Sequence, residues 1–129
     1  MPEFLTVAEV IHVHSLLIER YGGAAGIRDH SILEAAVAAP RATFDQKFLH
    51  TDLFEMAAAY AFHISQNQPF VDGNKRTGLL AALVFLDING ISTIGASPKL
   101  YETMIAIAES RRRKGDLASL LRELAKRNR

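Results

Sequence analysis

The run from Thr77 to Ile88, T-G-L-L-A-A-L-V-F-L-D-I, carries a single charge, Asp87. No 3.6-residue alternation of polar and apolar positions interrupts it. It therefore predicts a helix buried on every side, the central post of a small domain. Asn89-Gly90 supplies the stop, since glycine most readily takes the left-handed turn after a helix. The stretch just ahead, Gln68 to Arg76, is opposite in character: Q-P-F-V-D-G-N-K-R is polar, turn-prone and ends in two cations. A polar loop feeding a buried helix offers an anion site. The first backbone N–H groups of a helix have no intrahelical partner, and the helix dipole places partial positive charge there. Backbone donors at Gly73, Asn74 and Lys75, with the Lys75 and Arg76 side chains beside them, can hold phosphate. Asp72 is a hard oxygen ligand able to hold Mg²⁺ against that phosphate.

Composition narrows the class without pointing to the chemistry. The 129 residues suffice for one domain, 1–129, with a sizeable core. The chain has no cysteine, so disulfides and thiolate metal sites are excluded. The first residues, M-P-E-F-L-T, show no basic segment followed by an apolar one, and no signal peptide is expected. The apolar run at 77–88 is too short to span a bilayer. A net charge of +1 gives no overall pull toward nucleic acid. The expectation is a soluble cytoplasmic domain that binds neither membrane nor nucleic acid.

In chain order, Thr6-Val7-Ala8-Glu9 fits a capping box and predicts a helix over about 7–20, ended by Tyr21-Gly22-Gly23. His12 and His14 lie two apart, on different faces, and read as surface or internally satisfied histidines rather than a metal pair. Residues 22–26 read as a connector matching neither phosphate-loop pattern. Asp29 caps a second helix over about 30–39, which Pro40 closes. Phe44 and Phe48 alternate weakly with polar neighbours and predict a short extended flap. Thr51 opens a helix over about 52–66, where Ala57, Ala58 and Ala59 predict close contact with the central post. His63 on that helix reads as a core or half-buried histidine. Ser97-Pro98 starts a helix over about 98–111 that ends in Arg111-Arg112-Arg113-Lys114 and breaks at Gly115. Those cations read as a solvated face complementing a helix C-terminus, because no aromatics are interleaved to stack bases. Asp116 caps a last helix, over about 117–127, amphipathic through Leu117, Leu120, Leu121 and Leu124.

The loop from Gln68 to Arg76 resembles the signature of the Fic/Doc family, roughly His-Pro-Phe-x-Asp/Glu-Gly-Asn-Gly/Lys-Arg. Pro69, Phe70, Asp72, Gly73, Asn74, Lys75 and Arg76 match, Val71 fills the free position, and Gln68 stands where the family has its catalytic histidine. This is far more specific than a lone glycine-rich loop. Lys75 and the short single-domain chain resemble the Doc (death-on-curing) branch.

The resemblance implies an all-α Fic fold, with about six helices around the central buried helix. It also implies a flap at Thr43–His50, before the third helix, that lines up a target segment. ATP would be the co-substrate, with Mg²⁺ at Asp72. Phosphate would be held by the loop from Phe70 through Gly73, Asn74 and Lys75, and clamped by Arg76. Gln68, Asp72 and Arg76 would occupy the catalytic positions. Most Fic proteins transfer AMP to a protein hydroxyl. Doc-like members transfer the γ-phosphoryl group, with elongation factor Tu as the type of target, and Lys75 favours that mode. The family's histidine accepts the proton of the attacking hydroxyl, which a glutamine amide cannot do. Three readings of Gln68 stay open: an engineered inactive form, a natural pseudoenzyme, or use of another base, with Asp72 the nearest carboxylate. A non-catalytic module binding nucleotide or a partner is the rival from another class. The family's inhibitory Ser/Thr-x-x-x-Glu-Gly/Asn segment is not matched. Ser15–Glu19, Thr51–Glu55 and Ser119–Glu123 have the spacing but not the final residue, so control by an antitoxin in trans is expected.

Overall fold

Side-chain caps spelled out in the sequence start the first three helices. A computed structural model describes residues 1–93, 102, 103, 105, 106 and 113–127. Helix α1 (Val7–Tyr21) opens on the expected capping box. Thr6 Oγ1 accepts the Glu9 N–H at 3.1 Å, and Glu9 Oε1 accepts the Thr6 N–H at 2.9 Å. Helix α2 (His30–Ala38) is capped by Asp29, and Pro40 lies in the 3₁₀ turn Ala39–Arg41 that follows. Helix α3 (Leu53–Asn67) is capped by Asp52 rather than opened by Thr51. Asp52 Oδ1 takes the Glu55 N–H at 2.8 Å, the bond a short carboxylate at that position makes best. Thr51 instead bonds the Glu55 carboxylate through both its N–H and its hydroxyl, so this Thr–Glu pair is helix-end chemistry.

Between α2 and α3 lies the expected flap. Strands β1 (Thr43–Phe44) and β2 (Lys47–Phe48) pair antiparallel, Thr43 opposite Phe48 and Phe44 opposite Lys47. The two-residue turn between them, Asp45-Gln46, has both φ angles positive, the geometry that matches strand twist in a tight hairpin. Phe48 packs on Phe4, whose ring in turn stacks on Phe85.

Helix α4 (Asn74–Ile88) is the post, and its widest contact is with α3. Burial is nearly but not wholly circumferential. Gly78, Leu79, Ala81, Ala82, Leu83, Phe85 and Leu86 are buried, whereas Asp87 and Ile88 face water as the helix runs out. The alanine-rich face of α3 and Gly78 explain how close the two helices come. A Cβ built on Gly78 would lie 2.8 Å from the Ala61 carbonyl oxygen. Asn89 then ends α4 and ties down the N-terminal segment. Its Oδ1 accepts the Glu3 N–H at 2.8 Å, and its Nδ2 donates to Glu3 O at 2.9 Å.

The last helix, α5 (Lys114–Arg127), packs on α3 through Leu117, Leu120, Leu121 and Leu124 as the pattern predicts. It starts earlier than expected. Gly115 lies inside its first turn, and Asp116 does not precede the helix: its Oδ2 reaches back to the Arg113 N–H at 2.9 Å. A carboxylate in the first turn that bonds the residue ahead of the helix is the acidic half of a capping box. The helix expected over about 98–111 lies largely outside the described residues, as do Arg111 and Arg112. Glu102, Thr103, Ile105 and Ala106 are helical. The described residues thus give an all-α domain of five long helices and one small hairpin, and none of these helices is long and apolar enough to cross a membrane.

His63 meets the end of the flap and the start of α5 on one side of α3. Burial, then the charge of Lys114 and the nearby His50, push its pKa down to about 4. His50 and Lys114, whose Nε2 and Nζ lie 2.9 Å apart, are both lowered as well, chiefly by burial. In the unfolded chain His63 would titrate near the ordinary histidine value of 6.5. The unfolded state therefore binds the proton first, and stability present above about pH 6.5 is lost as pH falls toward 4. Melting temperature should drop across that interval. In His63→Phe the drop should be visibly shallower; an identical profile would remove His63 as its source.

Candidate active site

Gln68 ends α3 and turns the chain, at φ 50° and ψ 60°, a left-handed conformation uncommon for a residue with a side chain. Arg28 holds the turn in place. Its Nε donates to Gln68 O at 2.6 Å and its Nη2 to Asn67 O at 2.8 Å, a cation on the open carbonyls of a helix C-terminus. The backbone beside it continues the brace. The N–H groups of Arg28 and Asp29 both reach Pro69 O, at 2.7 and 3.1 Å, and the Val71 N–H reaches Gly26 O at 3.0 Å. Ile27 and Phe70 form an isolated antiparallel bridge. The glycine-rich connector is thus more than a connector: its far end is zipped to the loop that follows Gln68.

Phe70 is 1% exposed and stacks on His14, ring centroids 3.9 Å apart and planes 6° apart. It does not line the cleft, although it was expected among the phosphate-holding residues; its ring packs in the core, where an apolar ring is worth more. His14, also buried, bonds Asp72 O through Nε2 at 2.8 Å. A carbonyl can only accept, so Nε2 carries the proton. His14 is the internally satisfied histidine expected, but what satisfies it is the motif loop. The Asn74 side chain likewise serves the scaffold. Its Oδ1 accepts the Phe70 N–H at 2.9 Å and its Nδ2 donates one hydrogen to Phe70 O at 3.0 Å, so the oxygen and one of the two amide hydrogens are engaged in the loop. Asn74 offers a ligand its backbone N–H and the second Nδ2 hydrogen.

Gly73 starts α4 at φ 77°, ψ 19°, a left-handed cap that glycine takes without strain. No side chain caps this helix, and its first internal bond is from the Thr77 N–H to Gly73 O at 2.9 Å. The N–H groups of Asn74, Lys75 and Arg76 precede that bond and open on a cleft of about 510 Å³. Gln68, Asp72, Lys75 and Arg76 share this cleft with Tyr21 and Ser65. The guanidinium of Arg76 lies over the Tyr21 ring, 4.9 Å from its centroid. The Asp72 carboxylate accepts one N–H on each oxygen, from Gly73 at 2.9 Å and from Ala24 at 3.1 Å. Each oxygen keeps lone pairs for a cation. Gly23 makes room for it, since a Cβ there would stand 2.7 Å from Asp72 Oδ2. Among the described residues no cluster of three metal-ligating side chains exists. One carboxylate is nevertheless the donor set Mg²⁺ uses when substrate phosphates and water complete its shell. The residues present fit Mg²⁺ only in company with a phosphate ligand.

The flap and His63 lie away from this cleft, His63 half-buried as expected. The flap contributes no residue to this cleft; it is seated toward the other end of α4, on Phe4 and Phe85. His63 does not line it either, and its lowered proton affinity makes it a poor base. Sequence reasoning missed Arg28, Tyr21 and Ser65. Only Ser65 had a legible signal: it sits three residues before Gln68, one turn back on the same helix face. It is 1% exposed, and its Oγ has no hydrogen-bond partner.

Comparison with known proteins agrees with this architecture. A family model described as the Fic/DOC family matches residues 4–86, which carry α1 to α3, all but the last two residues of α4, and the cleft. The chain is 36% identical over 125 residues to Toxin Doc of Mycolicibacterium smegmatis, covering 97% of this chain and 93% of that one. It is 35% identical over 116 residues to Protein kinase doc of Escherichia phage P1, covering 90% of each.

Proposed function

The chain belongs to the Fic/DOC family, and on that premise we propose that it is a Doc-like toxin of a toxin–antitoxin module, built to transfer the γ-phosphoryl group of ATP to a hydroxyl of a target protein. The carrying observation is the cleft itself. The open N–H groups at the start of α4, the cations Lys75 and Arg76, and the Asp72 carboxylate surround one space whose rim includes Gln68. Phosphoryl transfer asks a protein mainly for positioning and charge neutralisation, and these groups supply both. In the reaction the target's oxygen bonds to the γ-phosphorus, the bond from that phosphorus to the bridging β–γ oxygen breaks, and ADP leaves. The backbone donors of Asn74, Lys75 and Arg76 hold the phosphate oxygens, and Arg76 offers paired donors. Asp72 would hold Mg²⁺, which when bound neutralises phosphate charge. The Gln68 amide orients the attacking hydroxyl by a hydrogen bond but cannot receive its proton, which passes to water without a positioned base, so transfer is slow. Elongation factor Tu is the target type in this reading, and the antitoxin acts in trans.

Two alternatives share the site: transfer of AMP, and a module that binds nucleotide or partner without chemistry. Gln68 favours the second. Calorimetry with Mg·ATP, combined with label transfer into a cell lysate, separates all three. Label moving from the γ position supports phosphoryl transfer, label from the α position supports AMP transfer, and binding with neither supports the module. Arg76→Ala should weaken Mg·ATP binding by about 1.5–3 kcal/mol, the range for a hydrogen bond to a charged group. Unchanged affinity in that variant would leave the loop a purely structural element.

A further inference from the structure

Ser65 is the one buried polar side chain of the cleft whose hydrogen-bonding capacity the fold leaves unused among the described residues. A helical serine ordinarily turns its hydroxyl onto the carbonyl four residues back. For Ser65 that carbonyl belongs to Ala61, and the close approach of Gly78 crowds it. The hydroxyl has less than 1 Å² of accessible surface and no protein partner, yet its residue borders the space into which α4 opens. A buried hydroxyl without a partner costs the folded state free energy, and serine is easily replaced by alanine in a helix. Nothing in the packing of α3 on α4 calls for an oxygen at this position.

We propose that Ser65 is a ligand-binding residue of this cleft, its hydroxyl turning about χ1 toward the cleft to donate to a phosphate oxygen of a polyphosphate held at the N-terminus of α4. The inference rests on reading the cleft as a phosphate site. It adds a donor from α3 to the backbone donors of α4, so that the ligand is gripped from both helices of the central pair. Ser65 lies one turn before Gln68, which places this contact beside the position where the attacking hydroxyl must sit. In this scheme the orphaned hydroxyl is a cost carried by the free protein and recovered when ligand binds.

Ser65→Ala therefore has two effects of opposite sign, which a merely structural serine would not show. Inorganic pyrophosphate and Mg·ATP serve as probes in calorimetry, with thermal melts of ligand-free protein alongside. The variant is expected to melt higher than the unmodified chain without ligand, because the unsatisfied group is gone. It is also expected to bind both probes about tenfold or more weakly, the loss for one hydrogen bond to a charged acceptor. Thr77→Val is the control. Thr77 carries the other orphaned hydroxyl of the α3–α4 seam but does not border the cleft. That variant should melt higher and bind both probes as before. If Ser65→Ala binds both probes as tightly as the unmodified chain, or melts lower without ligand, the inference is overturned while the phosphate reading stands. If the unmodified chain binds neither probe, the phosphate reading falls and this inference falls with it.

Discussion

Gln68→His should raise phosphoryl transfer by at least about 10²-fold, the lower end of what a general base contributes. The backbone is already suited to the change. Gln68 sits at φ 50°, ψ 60°, and histidine is among the non-glycine residues found more often in that region. Arg28 fixes the Gln68 carbonyl through the main chain, so the turn does not depend on which side chain it carries. Phosphate donors, cations and carboxylate stay where they are, and an imidazole nitrogen comes close to the place of the glutamine amide. The gain is read from label transfer into a lysate target and from growth arrest on expression, relieved by a cognate antitoxin. The mass added to the target tells phosphate from AMP. A folded, ATP-binding Gln68→His protein that transfers nothing and arrests no growth would sink the enzyme reading and leave the binding module.

Gly78→Val should abolish the folded domain. The contact at Gly78 is backbone on backbone: its Cβ would stand 2.8 Å from the Ala61 carbonyl oxygen and 3.3 Å from the Ala61 Cα. No rotamer relieves such a clash, so α3 and α4 would have to part along the widest interface among the described elements. Overpacking usually costs about 1–3 kcal/mol, and more where the neighbour cannot yield. Separating the central pair also strips Tyr60, Ile64, Phe85 and Leu86 of packing. A domain of this size holds only about 5–15 kcal/mol in total. Gly78→Ala should fold but melt well below the unmodified chain. A Gly78→Val protein with a cooperative, unshifted melt would mean that the two helices are not locked at this point.

The post and its stop were legible because burial leaves a compositional trace: a helix enclosed by protein has no need of polar positions, and Gly90 takes the positive φ its place demands. Caps at Thr6 and Asp29 were legible for a similar reason, since few side chains can satisfy open N–H groups. The register at Asp116 was not, because a carboxylate reads alike whether it stands before a helix or reaches back from its first turn. Within the cleft, the sequence indicated which residues would be neighbours along the chain but not what each would be spent on. Phe70 and Asn74 lie in the loop yet serve the fold, one stacked on His14, the other bonded to the Phe70 backbone. Arg28 carries no local pattern at all; it is some 40 residues from the carbonyls it holds, and only the packing of α2's entry against α3's exit brings them together.

The brace around the motif loop also bears on how such a chain changes over generations. Arg28, Gly26, Asn74 and His14 all grip main-chain atoms, of Asn67, Gln68, Pro69, Phe70, Val71 and Asp72. Shape is thereby inherited through one set of residues and chemistry through another. A lineage can exchange the side chain at 68 without renegotiating the fold, and glutamine and histidine codons differ by a single base. If the cleft is the phosphoryl-transfer site proposed above, silencing and reawakening it are equally short mutational steps.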